Sequence, residues 1–134
     1  MSFKSLPSME HTFSLELKGS STGQVWTGKF TYKRPNIGMQ SEIAKTTAKL
    51  NEDLKNLDEN MQFLHKILAT LRHTLVDAPQ WWVDSMFGIE FYDTNIIFEL
   101  YKNTQDFEDE WYEKVWKEEP KKESKKKKEE SKKE

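Results

Sequence analysis

The sequence predicts an α+β fold in which an N-terminal β-hairpin packs on a bundle of about three helices. Three observations carry that expectation. Apolar residues alternate with period two over residues 11–18 and 24–33; they switch to spacings of three and four from residue 40; and the composition changes abruptly after Pro120.

In the first strand Phe13, Leu15 and Leu17 alternate with polar positions, the pattern of a half-buried strand. Gly19-Ser20-Ser21-Thr22-Gly23 then supplies a connection whose glycines permit positive φ. The second strand places Trp26, Gly28, Phe30 and Tyr32 on one face and Val25, Thr27, Lys29, Thr31 and Lys33 on the other. Pro35, with no donor for a ladder, closes a hairpin bounded at 11–34. Residues 1–10 read as a flexible N-terminus.

Between residues 40 and 57, Ile43, Thr47, Leu50, Leu54 and Leu57 recur at helical spacing, with Ser41 as the candidate cap. A second helix over about 58–77 puts Met61, Leu64, Leu68, Leu71 and Leu75 on one seam, widened by Phe63 and Ile67. Its apolar arc is the widest, which marks it as the central helix. Asn56, Asp58 and Asn60 are candidate break points, so an αα-hairpin and one long bent helix both remain open. Pro79 disfavours helix at Ala78, and Trp81 to Phe87 add one or two turns before Gly88 interrupts them. Asp93 or Thr94 caps a last helix over about 94–117. Its inner face is Ile96, Ile97, Leu100, Phe107, Trp111 and Val115, flanked by Tyr101, Tyr112 and Trp116.

One domain, residues 11–118, accounts for all these elements. Residues 119–134 form a charged tail in which Lys121 to Glu134 holds only Lys, Glu and Ser. No apolar side chain offsets the roughly 1–2 kcal/mol per residue of ordering entropy, so the tail is expected to be disordered. Its eight lysines and four glutamates carry +4 and leave about −6 on the rest of a chain whose total is −2. It reads as a solubilising terminus, or as a basic arm for an acidic partner or nucleic acid.

Several function classes find no residues to support them. The chain has no cysteine, which excludes disulfides, thiolate zinc sites and cysteine nucleophiles. It has no continuous apolar run of the roughly 18 residues a membrane span needs, and no secretory signal pattern at its start, so a cytoplasmic protein is expected. His11 opens a strand, while His65 and His73 are separated by about 12 Å of helical rise, too far to share a metal without a third ligand. Asp106, Glu108, Asp109, Glu110 and Glu113 read as a solvated helix face, with Glu110/Lys114 and Glu113/Lys117 offsetting the like charges. Phosphate-cradling loops, calcium loops, serine elbows and HExxH are all missing from the sequence. The expectation is a non-enzymatic protein without cofactor or metal. Lys29, Tyr32, Lys33 and Arg34 form a basic and aromatic cluster, but alternation sends Lys29 and Lys33 to the face opposite the aromatics, and a negative body lacks a basic stripe.

Trp81 and Trp82 are the candidates for a binding role. Neighbours on a short helix differ by 100°, so both rings do not enter the same core. One is expected to pack on the Trp26/Phe30 face with its indole N–H paired. The other, or the nearby Met86 and Phe87, is expected to stay accessible as a partner anchor, which leaves a core role and a mixed core and docking role both open.

Two stretches carry a family resemblance: Trp26-Thr27-Gly28-Lys29-Phe30-Thr31-Tyr32-Lys33-Arg34-Pro35 and Leu75-Val76-Asp77-Ala78-Pro79-Gln80-Trp81-Trp82. They resemble small proteins of tailed bacteriophages that are encoded among the tail-morphogenesis genes and are similar to tail assembly chaperones. The resemblance covers about residues 11–101. It implies a non-enzymatic protein, in the host cytoplasm or the virion, that binds hydrophobic segments of the tape measure protein or another phage tail protein during assembly. The residues hypothesised to make that contact, from their chemistry, are Trp26, Trp81, Trp82, Met86 and Phe87. A structural virion component is the first alternative and a nucleic-acid-binding accessory protein the second. Homo-oligomerisation stays open.

Overall fold

Strands β1 (Glu10–Lys18) and β2 (Val25–Lys33) pair antiparallel, with Phe13 opposite Phe30, Leu15 opposite Gly28 and Leu17 opposite Trp26. The computed structural model describes residues 6–52 and 59–116. As the alternation predicts, Leu17, Phe30 and Tyr32 are buried on the inner face while Thr12, Ser14, Glu16, Thr27 and Lys29 are exposed on the outer one. The outer face is a solvated antiparallel surface, where Thr12 and Thr31 share a hydroxyl hydrogen bond of 2.9 Å. Of the two turn glycines, only Gly23 takes positive φ, at 74°.

Helix α1 (Ile37–Asn51) starts earlier than the period suggested, because the Asn36 side chain caps it by accepting the Met39 N–H at 2.9 Å; Ser41 lies inside the helix. Helix α2 (Glu59–Thr74) runs back along it. His65 Nδ1 donates to Asn51 Oδ1 at 2.6 Å, and Thr46 Oγ1 and His73 Nε2 are hydrogen-bonded at 2.7 Å. Residue 51 facing 65 and 46 facing 73 is antiparallel pairing, so the two form an αα-hairpin and not one bent helix. The break candidate Asn60 falls within α2, whereas Asn56 and Asp58 lie outside the described residues.

Along α2, Ile67, Leu68, Ala69 and Leu71 are buried, while Met61, expected on the seam, and Phe63, expected to widen it, are exposed near the start of the helix. Phe63 stacks instead on Phe98 with centroids 6.4 Å apart. The helix was expected to reach residue 77, but it ends at Thr74. Leu75–Asp77 forms a short strand β3 on the free edge of β2, Leu75 opposite Tyr32 and Asp77 opposite Thr31. Pro79 favours extended backbone just before it, and β2 offers unpaired ladder groups, so strand hydrogen bonds replace helical ones. The fold is therefore α+β, with a three-stranded antiparallel sheet in the order β1-β2-β3.

Helix α3 (Gln80–Asp84) is one short turn, and α4 (Thr94–Trp116) spans the hairpin. Ile96, Ile97, Leu100 and Trp111 are buried as the period predicts; Thr104, which periodicity overlooked, is buried by donating its hydroxyl to Tyr101 O at 2.7 Å. The start of α4 and a point farther along it are tied to the hairpin. At its start the Asp93 carboxylate accepts the Ser21 and Thr22 N–H groups at 2.7 and 3.1 Å and the Thr22 hydroxyl, so it holds the hairpin turn rather than capping the helix with its side chain. Asn95 accepts the Ser20 N–H and donates to Lys18 O, both at 2.9 Å.

Farther along, Glu108 accepts the Tyr32 hydroxyl at 2.5 Å and Arg34 Nε at 2.8 Å, while the Arg34 guanidinium lies 3.6 Å from the Trp111 ring centroid. Burial, and next the Glu108 carboxylate, pushes the Tyr32 phenol pKa above its ordinary value, so Tyr32 remains the donor. Trp111 Nε1 donates to Pro7 O at 3.3 Å and Arg34 N–H to Met9 O at 2.8 Å. Residues 7–10, expected to be flexible, are thus held, and Glu10 already belongs to β1. Residues 1–5 and the charged tail lie outside the described residues. No helix among the described residues is long and apolar enough to cross a membrane.

The turn clamp carries a pH dependence. The Thr22 hydroxyl first, with the Ser21 and Thr22 amides, favours ionised Asp93 over the opposing effect of desolvation and holds its pKa below the usual 3.8. A carboxyl with a depressed folded pKa contributes stability that is full above its unfolded value and is lost as pH falls through the folded one. Denaturation at stepped pH should show Asp93→Asn less stable than wild type at pH 6, with the gap closing as pH drops below the usual 3.8. A gap independent of pH would contradict this.

Candidate functional site

The site begins where β3 stops. Pro79 has no N–H with which to extend β3 along β2, and the chain crosses the inner face of the sheet at Gly28. A Cβ on Gly28 would collide with the Pro79 ring and come within 3.3 Å of Trp81 Nε1, so only glycine lets the segment lie this close. Trp81 then settles on the hairpin. Its ring centroid is 5.0 Å from Trp26 and 5.7 Å from Phe30, edge-on to the latter at 81°. Its indole N–H donates to Thr27 O at 2.8 Å. One tryptophan therefore takes the expected place on the Trp26/Phe30 face, with its polar handle satisfied.

Trp82 points the other way and is 1% exposed. It belongs to the core with Ile97 and Leu100, which removes it from the partner-binding set: a side chain without accessible surface anchors nothing. Its Nε1 is buried without a hydrogen-bond partner among the described residues. Leaving such a donor unpaired costs on the order of 1–3 kcal/mol, which the burial of the large ring offsets.

A strained turn follows. Met86 and Phe87 take φ of 56° and 55°, the left-handed region that bulky residues avoid, and Gly88 continues it at 91°. The Ser85 hydroxyl holds the turn by donating to Trp82 O at 2.8 Å and accepting the Gly88 N–H at 3.0 Å, and Phe87 N–H also donates to Trp82 O. At Gly88 an added Cβ would lie 2.9 Å from the Trp82 ring, so the position needs glycine for space as well as for φ. The turn separates Met86 and Phe87 from Trp81. They line a shallow depression with Leu50, Leu68 and Arg72, where the Arg72 guanidinium is 4.8 Å from the Phe87 centroid. The candidates Trp81, Met86 and Phe87 are thus separated by the buried Trp82.

Trp81 and Trp26 instead line a cleft of about 390 Å³ on the side of the hairpin turn. Phe91 completes its wall, 5.1 Å from Trp26 and 5.8 Å from Trp81 between centroids. Tyr92, 88% exposed, stands at the rim with Asp84 and Glu90; Gln24, Ser85, Asp93 and Ile96 form the remainder. Three acidic residues line this cleft, and none of its ten lining residues is Lys, Arg or His. Asp93 is spent on the turn, and Asp84 accepts Gln80 Nε2 at 2.8 Å. The Glu90 carboxylate has no hydrogen bond or ion pair with any described residue. Sequence reasoning took Trp26 and Trp81 but missed Phe91, Tyr92, Asp84 and Glu90. The available signal was Glu90-Phe91-Tyr92-Asp93, acids and aromatics together in a stretch that fits neither period.

Other candidates resolve into packing. His65 and His73 are bonded to Asn51 and Thr46, His11 stacks on Phe107 at 4.9 Å, and no group of three or more potential metal ligands occurs among the described residues. Arg34, the guanidinium of the basic cluster, is occupied by Glu108 and Trp111. No family model matches the chain, and neither does any curated protein or solved structure.

Two expectations follow for the segment that builds the site. Trp82→Ala should cost about 3–5 kcal/mol, as large core truncations do, whereas Trp82→Phe, which deletes the unpaired N–H, should cost under about 1.5 kcal/mol. Urea denaturation of both variants checks the difference. Met86→Gly should stabilise the fold by about 1 kcal/mol through relief of the left-handed backbone, seen as a raised denaturation midpoint; an unchanged or lower midpoint would mean that the Met86 side chain contributes more than its conformation costs.

Proposed function

We propose that the protein is a non-enzymatic binding module that receives a segment of a partner protein in the Trp26/Trp81/Phe91 cleft. The observation that carries this reading is the cleft itself: half-buried aromatic rings form one continuous wall, held on a rigid sheet, beneath a rim of carboxylates and an exposed tyrosine. Aromatic surface of low conformational entropy beside polar groups is what protein-binding hot spots use. The cleft also lacks an activated nucleophile. Its one hydroxyl nucleophile with a fixed environment, Ser85, is engaged with the backbone of Trp82 and Gly88, and no histidine, lysine or cysteine lines it.

For a biological setting we propose phage tail assembly, with chaperone-like binding of the tape measure protein or another tail component. The support is the resemblance of residues 11–101 described above. On co-expression, a tape measure protein should form a soluble complex with this chain, weakened about tenfold by Tyr92→Ala, within the range of a single hot-spot truncation. Tyr92 is suited to the test because its side chain is almost wholly exposed, so the variant should keep the wild-type melting temperature. A tape measure protein equally soluble and assembly-competent without this chain would overturn the setting.

A further inference from the structure

Resting on the reading of the cleft as a docking site, we propose that the partner segment it takes is basic, and that a lysine or arginine side chain enters the cleft, laying its stem along the Trp26/Trp81/Phe91 wall and its charge against Glu90 and Asp84. The argument begins with how this chain treats its own cations. Arg34 lies on the Trp111 face at 3.6 Å with the Glu108 carboxylate at 2.8 Å, and Arg72 lies over Phe87 at 4.8 Å. Guanidinium and ammonium groups are drawn to ring faces by the aromatic quadrupole, and a nearby carboxylate adds to that attraction. The cleft brings the same two kinds of group, indoles and acidic residues, into one lining with no cation among them.

Charge complementarity gives the sign of the occupant. Asp84, Glu90 and Asp93 line one concavity that has no basic residue in its lining; the Asp93 carboxylate is engaged by the hairpin turn, whereas the Glu90 carboxylate is unpaired among the described residues. An anionic segment would meet like charge in a partly enclosed site of lowered dielectric, and a purely apolar one would desolvate Glu90 without compensation. A cationic side chain with a methylene stem satisfies both requirements, since its stem covers the rings while its head stays at the acidic rim. The cleft of about 390 Å³ has room for such a side chain together with the backbone on either side of it.

Three capped pentapeptides, alike except for a central lysine, arginine or norleucine, separate charge from apolar contact because norleucine keeps the lysine stem without its ammonium. Each is titrated into the full-length protein and read by the Trp81 indole N–H resonance. The lysine and arginine peptides should bind about fivefold more tightly than the norleucine peptide, the size expected of an exposed cation–π contact with a carboxylate beside it. That advantage should vanish in Glu90→Gln/Asp84→Asn and shrink at high salt.

Equal binding of the norleucine peptide would overturn the cation inference while leaving the docking site intact. No perturbation of the Trp81 resonance by any of the three would also overturn it, and the tape measure co-expression would then decide the function by itself. Should removal of residues 119–134 shift the Trp81 resonance and tighten peptide binding, the chain's own lysines would be the occupant, which overturns a partner segment.

Discussion

The absence of a side chain at Gly28 is the constraint on which the rest of the arrangement depends. In the inner row of β2, between Trp26 and Phe30, it leaves the one gap through which Pro79 and Trp81 reach the sheet. Because Trp81 is fixed there by its rings and by the Thr27 carbonyl, the next residue must turn away from the hairpin, and Trp82 falls into the helical core. A side chain at position 28 would push Pro79 and Trp81 away from the sheet. The two tryptophans are therefore one structural decision, made by a glycine about fifty residues earlier in the chain.

The left-handed turn is a consequence of that placement. With Trp82 committed to the core, the chain has only a few residues in which to leave α3 and return toward the start of α4. It does so through Met86, Phe87 and Gly88 at positive φ, held by Ser85 and the doubly accepting carbonyl of Trp82. Non-glycine residues in this region cost of order 1–3 kcal/mol each and persist only where surrounding bonds over-determine them. What the turn achieves is the delivery of Phe91 to the wall of Trp26 and Trp81, and of Glu90 and Tyr92 to its rim.

Much of the fold was legible in the sequence because burial there follows simple periods. The two faces of both hairpin strands, most of the inner faces of α2 and α4, and the separation of two adjacent indoles follow from alternation or from 100° per residue. The indole off the hairpin face, Trp82, is nevertheless buried rather than accessible, and Met61 and Phe63 of α2 are exposed. The switch at Leu75 was not legible: Leu75 is apolar and buried whether it ends a helix or begins a strand, and only the presence of β2's open edge decides between them. The cleft was half legible for a similar reason. Trp26 and Trp81 stand out by their chemistry, but Glu90, Phe91 and Tyr92 are brought to them by a turn whose geometry rests on tertiary bonds rather than on a local turn signature.

The two clamps along α4 bear on how the cleft can act. Asp93 and Asn95 hold the hairpin turn, and Glu108 with Trp111 holds the other end of β2 through Tyr32 and Arg34. Fifteen residues of helix, about 22 Å, separate Asp93 from Glu108, so the hairpin is fastened to one rigid rod at two distant points. Such a hairpin resists bending or sliding on α4. The turn that carries Glu90 and Tyr92 enters α4 directly at the first of these points, so the aromatic wall and its acidic rim keep a fixed spacing. A site of this kind loses little ordering entropy when it is filled, and its selectivity rests on the chemistry of its wall and rim rather than on adaptation to whatever enters.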